Sequence, residues 1–453
     1  MMNSSQDRSW TRYLFSSAST ATLSIWITFA LLAVMTQAAE GETFKVIYNF
    51  TGGIDGAAPY AGLTMDRAGN LYGTAAFGGT GACENFQSPS GCGTVFRLVH
   101  TGSAWRFIPL YSFGGSATND GSYPYGRVIF GPDGSLYGTS LGGGVQGNCA
   151  ATLLIGCGTV FNLKPTPNPP PTPFTPWLEY VLYRFQNLAD GIEPRGELAF
   201  DQAGHLYGAT AAGGASDSVL GGTVFELTSS NGSWTKTTLW SFQQAGPIGG
   251  VALDQRGYIY GTTDIGGQYT DGSVYQLTPS GSGWTLNTLY SFSGSDGYDV
   301  FAGVILDSTG KLYGATINGQ PSGGAVVFQL TPSDGSWAYS ALYTIPGLYG
   351  GGPAGDLVMD SAGNLYGTTR GAGFNSNLPN GSVFKLTPSN GSWIYTDLYN
   401  FTGGSDGSHP YSNVVIDAEG NLYGTTSQGG SGCNGLGCGV VWEITGVGAP
   451  LKK

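Results

Sequence analysis

Three residue types in this chain could carry chemistry, and their spacing limits what each can do. The three His, at His100, His205 and His409, lie far apart in sequence. A His metal cluster or a Ser-His-Asp triad needs such side chains to converge, and no local motif brings them together. The six Cys fall into three close pairs: Cys83 with Cys92, Cys149 with Cys157, and Cys433 with Cys438. An even number in local pairs predicts three disulfides and an oxidising compartment. Metal binding is the alternative, but no CxxC spacing is present. In the Gly-rich loops that follow the aromatic segments, five Asp stand directly before Gly, at Asp55, Asp120, Asp190, Asp296 and Asp406. Asp-Gly is ordinary turn chemistry, yet these carboxylates are also the candidate ligand-binding residues. Calcium is the one cofactor they suggest, although one carboxylate per loop is few for an ion that takes 6–8 oxygens. No catalytic residue and no metal-ligating set is assigned.

Composition excludes several classes. Gly is 78 of 453 residues, more than twice the usual share of roughly 7%, without a Gly-X-Y period, so collagen is excluded. Aromatic content of 13% argues against disorder. Lys and Arg total only 17 against 29 Asp and Glu, a formal charge of −12. No basic footprint for nucleic acid exists.

The N-terminus reads as an export signal over residues 1–38. Arg8 and Arg12 precede an uncharged, mostly apolar run from Ala21 to Met35, and Thr36-Gln37-Ala38 offers small residues for cleavage. The run is short for a membrane span, which needs about 20 apolar residues. After cleavage no transmembrane segment is expected, and the chain is read as secreted, periplasmic or on the cell surface.

The elements that must position these residues are repeated. A text of the type DSAGNLYGTT (Asp360 to Thr369) recurs with its Tyr at Tyr72, Tyr137, Tyr207, Tyr260, Tyr313, Tyr366 and Tyr423. The three shortest intervals are 53 residues each, and such a period marks a repeat architecture. Each copy holds a short apolar strand, a tight Asp-containing turn, the Leu-Tyr-Gly strand, a variable loop and a VF-x-LT strand. A turn such as Pro388-Ser389-Asn390-Gly391-Ser392 then leads to an aromatic outer strand such as WIYTDLYNF from Trp393. Four strands per period fit an antiparallel propeller blade. The second copy carries a Pro-rich insertion at 165–176, read as a surface insertion. The repeated Tyr and Trp are read as blade-to-blade packing rather than sugar platforms.

The combination DxxGNLYGTT…GG…G-[TS]-VF-x-LTPS-x-GSW…LYSF…DG resembles the GloVer tandem-repeat family of exported bacterial proteins over nearly all of residues 43–446. The resemblance implies export and surface association, and supplies no activity. A looser similarity to the sensor propellers of two-component regulators (DxxGxLWxGT) implies the strand order from inside to outside. The expected fold is all-β, a seven-bladed propeller over 39–449, closed by Phe44 to Phe50 pairing into the last blade. The expected function is an exported binding module, monomeric, with an unknown extracellular protein or glycan as partner. The alternatives are a carbohydrate-active or lactonase-like enzyme and a purely structural surface protein. Of the two faces, the one carrying the Asp-Gly loops is expected to be the contact surface.

Overall fold

A computed structural model describes residues 42–447, except 84–89, 103, 146–148, 150–155, 167–176, 215–219, 320–323, 348–349, 372–378 and 436. The expected export signal and most of the Pro-rich insertion lie outside the described residues. Seven four-stranded antiparallel sheets follow one another along the chain. In the sixth, Val358–Met359 is innermost, followed by Leu365–Thr369, Ser382–Ser389 and Ser392–Asn400. The seventh joins Val415–Ile416, Leu422–Thr426 and Val440–Thr445 to Thr43–Asn49 from the other end of the chain.

The repeated residues each have one task. Asp360 accepts hydrogen bonds from the Ala362 and Asn364 amides on Oδ1, and from the Asn364 side chain and the Tyr366 hydroxyl on Oδ2. The turn between the first two strands is thus pinned by one carboxylate. In blade 2, where Gly131 replaces this Asp, Asp133 takes over and receives Ser135 N and the Ser135 and Tyr137 hydroxyls. The Gly of Leu-Tyr-Gly lies opposite an aromatic ring across the ladder. Gly367 pairs with Phe384, and a Cβ there would stand 2.7 Å from the ring's Cζ. Tyr275 and Trp442 fill the same place opposite Gly261 and Gly424.

The hairpin to the outer strand is tighter than the sequence suggests. Pro388 and Ser389 still belong to the third strand, leaving Asn390-Gly391 as a two-residue turn with φ of 49° and 82°, a favoured hairpin geometry. The inner strand is shorter than expected, two residues instead of a longer apolar run. The carbonyls just before it turn to the preceding blade, where Thr262 Oγ1 bonds Ala302 O and Thr368 Oγ1 bonds Ser412 O.

Aromatic rings join the blades. Phe113 meets Phe161 of the next blade edge-on, Phe185 meets Phe225, and Phe292 meets Phe328, at 5.1–5.4 Å. Phe50 meets Phe96 of blade 1 in the same way at 5.2 Å. The Leu-Tyr-Gly tyrosines Tyr72, Tyr137, Tyr260 and Tyr423 touch Trp177, Trp234, Trp337 and Trp105 of the following blades. Each such pair adds about 0.5–1.5 kcal/mol beyond its buried area.

The two long loops of a blade meet on one face. Isolated bridges Ala57↔Phe77, Ile192↔Ala212, Tyr298↔Asn318 and Ser408↔Gln428 tie the loop before the inner strand to the loop after the second.

Candidate functional site

Every blade enters its inner strand through one short segment. It starts at the long-loop face and descends the wall of the central channel. In six blades it carries a Pro, at Pro59, Pro124, Pro194, Pro247, Pro353 and Pro410, and Val300 takes the place in blade 5. The fixed φ of Pro stiffens this descent. The preceding residue has positive φ at Ala58, Tyr123, Glu193, Asp299 and His409, an uncommon state for non-Gly residues. In four of these, the amide is held by a carbonyl of the preceding blade: Ala58 by Cys438, Tyr123 by Cys92, Glu193 by Cys157 and His409 by Asn380.

One position after the Pro, the blades contribute an upper ring: Tyr60, Tyr125, Arg195, Ile248, Phe301, Ala354 and Tyr411. Three positions after it they contribute a floor: Gly62, Arg127, Glu197, Gly250, Gly303, Asp356 and Asn413. Between them lies a cavity of about 350 Å³, within the range of small-ligand pockets. Tyr60 and Tyr125 stack in parallel with ring centres 4.7 Å apart, and Tyr411 meets Tyr60 edge-on at 5.2 Å. One side of the mouth, from blades 7, 1 and 2, is therefore an aromatic wall.

The floor carries charge of both signs. Arg127 forms an ion pair with Glu197, and the two side chains keep 26% and 21% of their surface open to the channel. Burial opposes the Arg127 charge, but Glu197 outweighs it and holds the guanidinium pKa above its usual value. Asp356 Oδ1 accepts the Gly303 amide at 2.6 Å. Burial first, and the negative charge of Glu197 second, push the Asp356 carboxyl up to about 6; the Gly303 amide and Arg127 pull the other way. Arg195 in the upper ring is paired with Glu193. At the rim, burial and the neighbouring Arg370 lower the pKa of His409, and Arg370 lies over the Tyr411 ring.

The five Asp-Gly carboxylates stand elsewhere, one in each of five outer loops. Asp55 receives the Tyr48 hydroxyl and the Thr51 amide, and Asp406 receives the equivalent Tyr399 and Thr402 groups. Asp120 receives the Tyr111 hydroxyl and the Gly114 and Gly121 amides. Asp190 receives Tyr183, Gln186 and Lys236, and Asp296 receives Tyr290 and Ser293. Each ties its outer strand to the loop that follows. Among the described residues no three His, Cys, Asp or Glu side chains converge as a metal site. His205 is engaged locally by Asp201 and Glu226.

Asp120 has an unusual neighbour. Glu179, from the outer strand of the next blade, is pushed up to about 8 by burial and then by the Asp120 charge, with Arg184 opposing. The equivalent residue one blade on is Lys236, which bonds Asp190 directly. A carboxyl raised from 4.5 to about 8 favours the fold while protonated. That contribution is full below about pH 4.5 and is lost progressively as pH rises towards 8. Glu179→Gln is therefore expected to match the parent protein at pH 4 and to exceed it at pH 8. The gain should be about 1–3 kcal/mol, less than the full shift because the pair is partly open to water. Chemical denaturation at the two pH values checks it.

The three predicted disulfides are present: Cys83–Cys92, Cys149–Cys157 and Cys433–Cys438, with Cα separations of 5.0, 5.4 and 5.6 Å. Their later Cys supply the carbonyls that hold the segments leading to Tyr125, Arg195 and Tyr60. They brace one sector of the channel mouth. Sequence reasoning missed the channel residues themselves. The signal that finds them is the recurring Pro: aligned on it, the column three places on reads Gly62, Arg127, Glu197, Gly250, Asp356 and Asn413.

Among solved structures, the chain is similar to the periplasmic gluconolactonase of Pseudomonas aeruginosa, with 16% identity over 81% of this chain and 95% of the other, at a TM-score of 0.48. It is also similar to a protein of unknown function from Dyadobacter fermentans, with 11% identity over 89% and 98% of the two chains, at a TM-score of 0.44. No curated protein sequence matches it. The family model described as the Gloeobacter/Verrucomicrobia repeat matches twice, over residues 83–252 and 247–448. With most of its length covered by these two matches, the chain belongs to the Gloeobacter/Verrucomicrobia repeat family.

Proposed function

We propose that the protein is an exported binding module that takes its ligand into the long-loop mouth of the central channel. The observation that carries this reading is the convergence of the Tyr60, Tyr125 and Tyr411 wall with the Arg127, Glu197 and Asp356 floor around one cavity. An aromatic wall above a few polar groups is the usual composition of a ligand pocket. The Asp-Gly loops form the surrounding rim and set its shape. Three disulfides in one sector reduce the ordering cost of binding and suit an oxidising compartment outside the cytoplasm.

A glycan and peptide screen of the protein lacking residues 1–38 supplies a ligand. The double change Tyr60→Ala, Tyr125→Ala is then expected to weaken binding by about tenfold or more, some 1.4 kcal/mol or above. Arg67→Ala and Glu419→Ala, exposed on the opposite, short-turn face, should leave affinity unchanged. Loss in the short-turn variants with full binding in the double variant would put the contact surface on the other side. Thermal melting of each variant separates misfolding from lost contact.

Asp356 favours a second reading, an extracellular hydrolase of a carbohydrate or lactone. A carboxyl at about 6 beside the Arg127–Glu197 ion pair suits proton transfer near neutral pH. Under it, Asp356→Asn abolishes turnover of a lactone or glycoside, a loss far beyond any weakening of binding. Under the binding-module reading there is no turnover to lose.

A further inference from the structure

We propose that the ligand of the channel pocket is a neutral sugar, taken as a single ring or as the end ring of a glycan. The inference rests on the channel being the binding site. Three features of the pocket define the chemistry.

The first is charge balance. Arg127 is compensated by Glu197 and Arg195 by Glu193. Asp356 is the one acid of the floor without an ion-pair partner among the described residues, and burial pushes its carboxyl up to about 6. A cationic ligand would have to approach Arg127 and Arg195, and an anionic one Glu197 and Asp356. Desolvating a ligand charge against like charge is costly, so a neutral ligand fits best.

The second is the set of unused polar atoms. Arg127 and Arg195 line the cavity, and each guanidinium has more N–H donors than its one acid partner uses. Among the described residues, one oxygen of Asp356 accepts the Gly303 amide, and no bond to the other is seen. Asn413, on the same floor, is buried at 7% exposure. The pocket thus offers donors from guanidinium groups and an acceptor from a carboxylate, within one small space. A hydroxyl both donates and accepts, so a ring bearing several hydroxyls can satisfy all of them. An apolar ligand of the same size would leave these groups unpaired and out of water, which disfavours it.

The third is the wall. A sugar ring has an apolar C–H face, and Tyr60, Tyr125 and Tyr411 present aromatic surface above the polar floor. Aromatic residues bring large contact area with two side-chain torsions to fix. The cavity of about 350 Å³ takes a short saccharide end and not a long chain laid across the mouth.

The test uses calorimetry on the full chain lacking residues 1–38. The probes are glucose, galactose, mannose and xylose, each free and as the end of a short oligosaccharide, with glucosamine and glucuronate as charged counterparts. The expected result is binding of at least one neutral ring, with its charged counterpart about tenfold weaker or worse. Free ring and chain end compared at equal concentration distinguish the two sources. Tyr60→Ala and, separately, Asp356→Asn should each weaken the neutral sugar by about tenfold, both checked for folding by melting. If no neutral sugar binds, or a charged counterpart binds better, the sugar class is overturned. If the preferred charged or peptide ligand then loses affinity in Tyr60→Ala, the channel remains the site and only its ligand class was wrong. If a neutral sugar binds both folded variants as tightly as the parent, the channel is not the site at all.

Discussion

Removal of residues 42–50 is expected to unfold the whole propeller rather than fray one blade. This segment lies beside Val440–Thr445 in the seventh sheet. Phe44 stacks on Tyr399 of blade 6 at 3.7 Å and Tyr48 stacks on Phe107 of blade 1 at 4.4 Å. Phe50 is fully buried against Phe96. The segment therefore touches the blades on both sides of its own. Truncating one buried Phe costs about 3–5 kcal/mol, and the deletion removes several aromatic contacts together with a run of ladder hydrogen bonds. The sum is comparable with the entire stability of a domain, about 5–15 kcal/mol. It also leaves Val440–Thr445 as a bare apolar edge, open to aggregation. Thermal melting of the protein with and without residues 42–50 checks this. A truncated protein that melts with the parent's midpoint and cooperativity would falsify it.

Asp360→Ala is expected to destabilise by about 3–5 kcal/mol, far more than an ordinary turn substitution. The carboxylate is nearly buried at 5% exposure and receives four hydrogen bonds. Hydrogen bonds to a charged group contribute about 1.5–3 kcal/mol each before overlap. Its loss strands the Asn364 side chain and removes one partner of the Tyr366 hydroxyl, both buried. Asp360→Asn keeps one acceptor oxygen and should lose less. Ser361→Ala, in the same turn but outside the network, serves as the control in urea denaturation. Near-equal midpoints for Asp360→Ala and Ser361→Ala would show that the network does not hold the blade.

The blades were legible in the sequence because each structural task recurs in most blades. Asp360 pins a turn, Gly367 makes room for Phe384, and Trp337 covers Tyr260 of the preceding blade. Packing of this kind needs the same side chain at the same place in each copy, so repetition exposes it. The paired Cys were legible for a different reason, since both members of each pair sit in one loop. The channel was not legible. Arg127, Glu197 and Asp356 come from three blades, at one position per repeat, and each copy carries a different residue there. Only the Pro three places earlier marks their column, and only ring closure brings them around one cavity. The exact span of the inner strand was also hidden. Its apolar run suggests a longer strand, but carbonyls such as Ser412 O are taken by the preceding blade.

The floor of the channel also carries a rule about inheritance. Its large residues rest on glycines of adjoining blades. A Cβ on Gly62 would fall 1.6 Å from Asn413 Oδ1, and one on Gly250 would fall 2.9 Å from the Glu197 Cβ. The Gly303 amide is the donor that Asp356 uses. A side chain at Gly62 or Gly250 therefore requires the facing Asn413 or Glu197 to shift or change as well. Across descendants of one ancestral ring, positions 62 and 413, 197 and 250, and 303 and 356 should change in concert. Ligand preference would then evolve in steps of two blades.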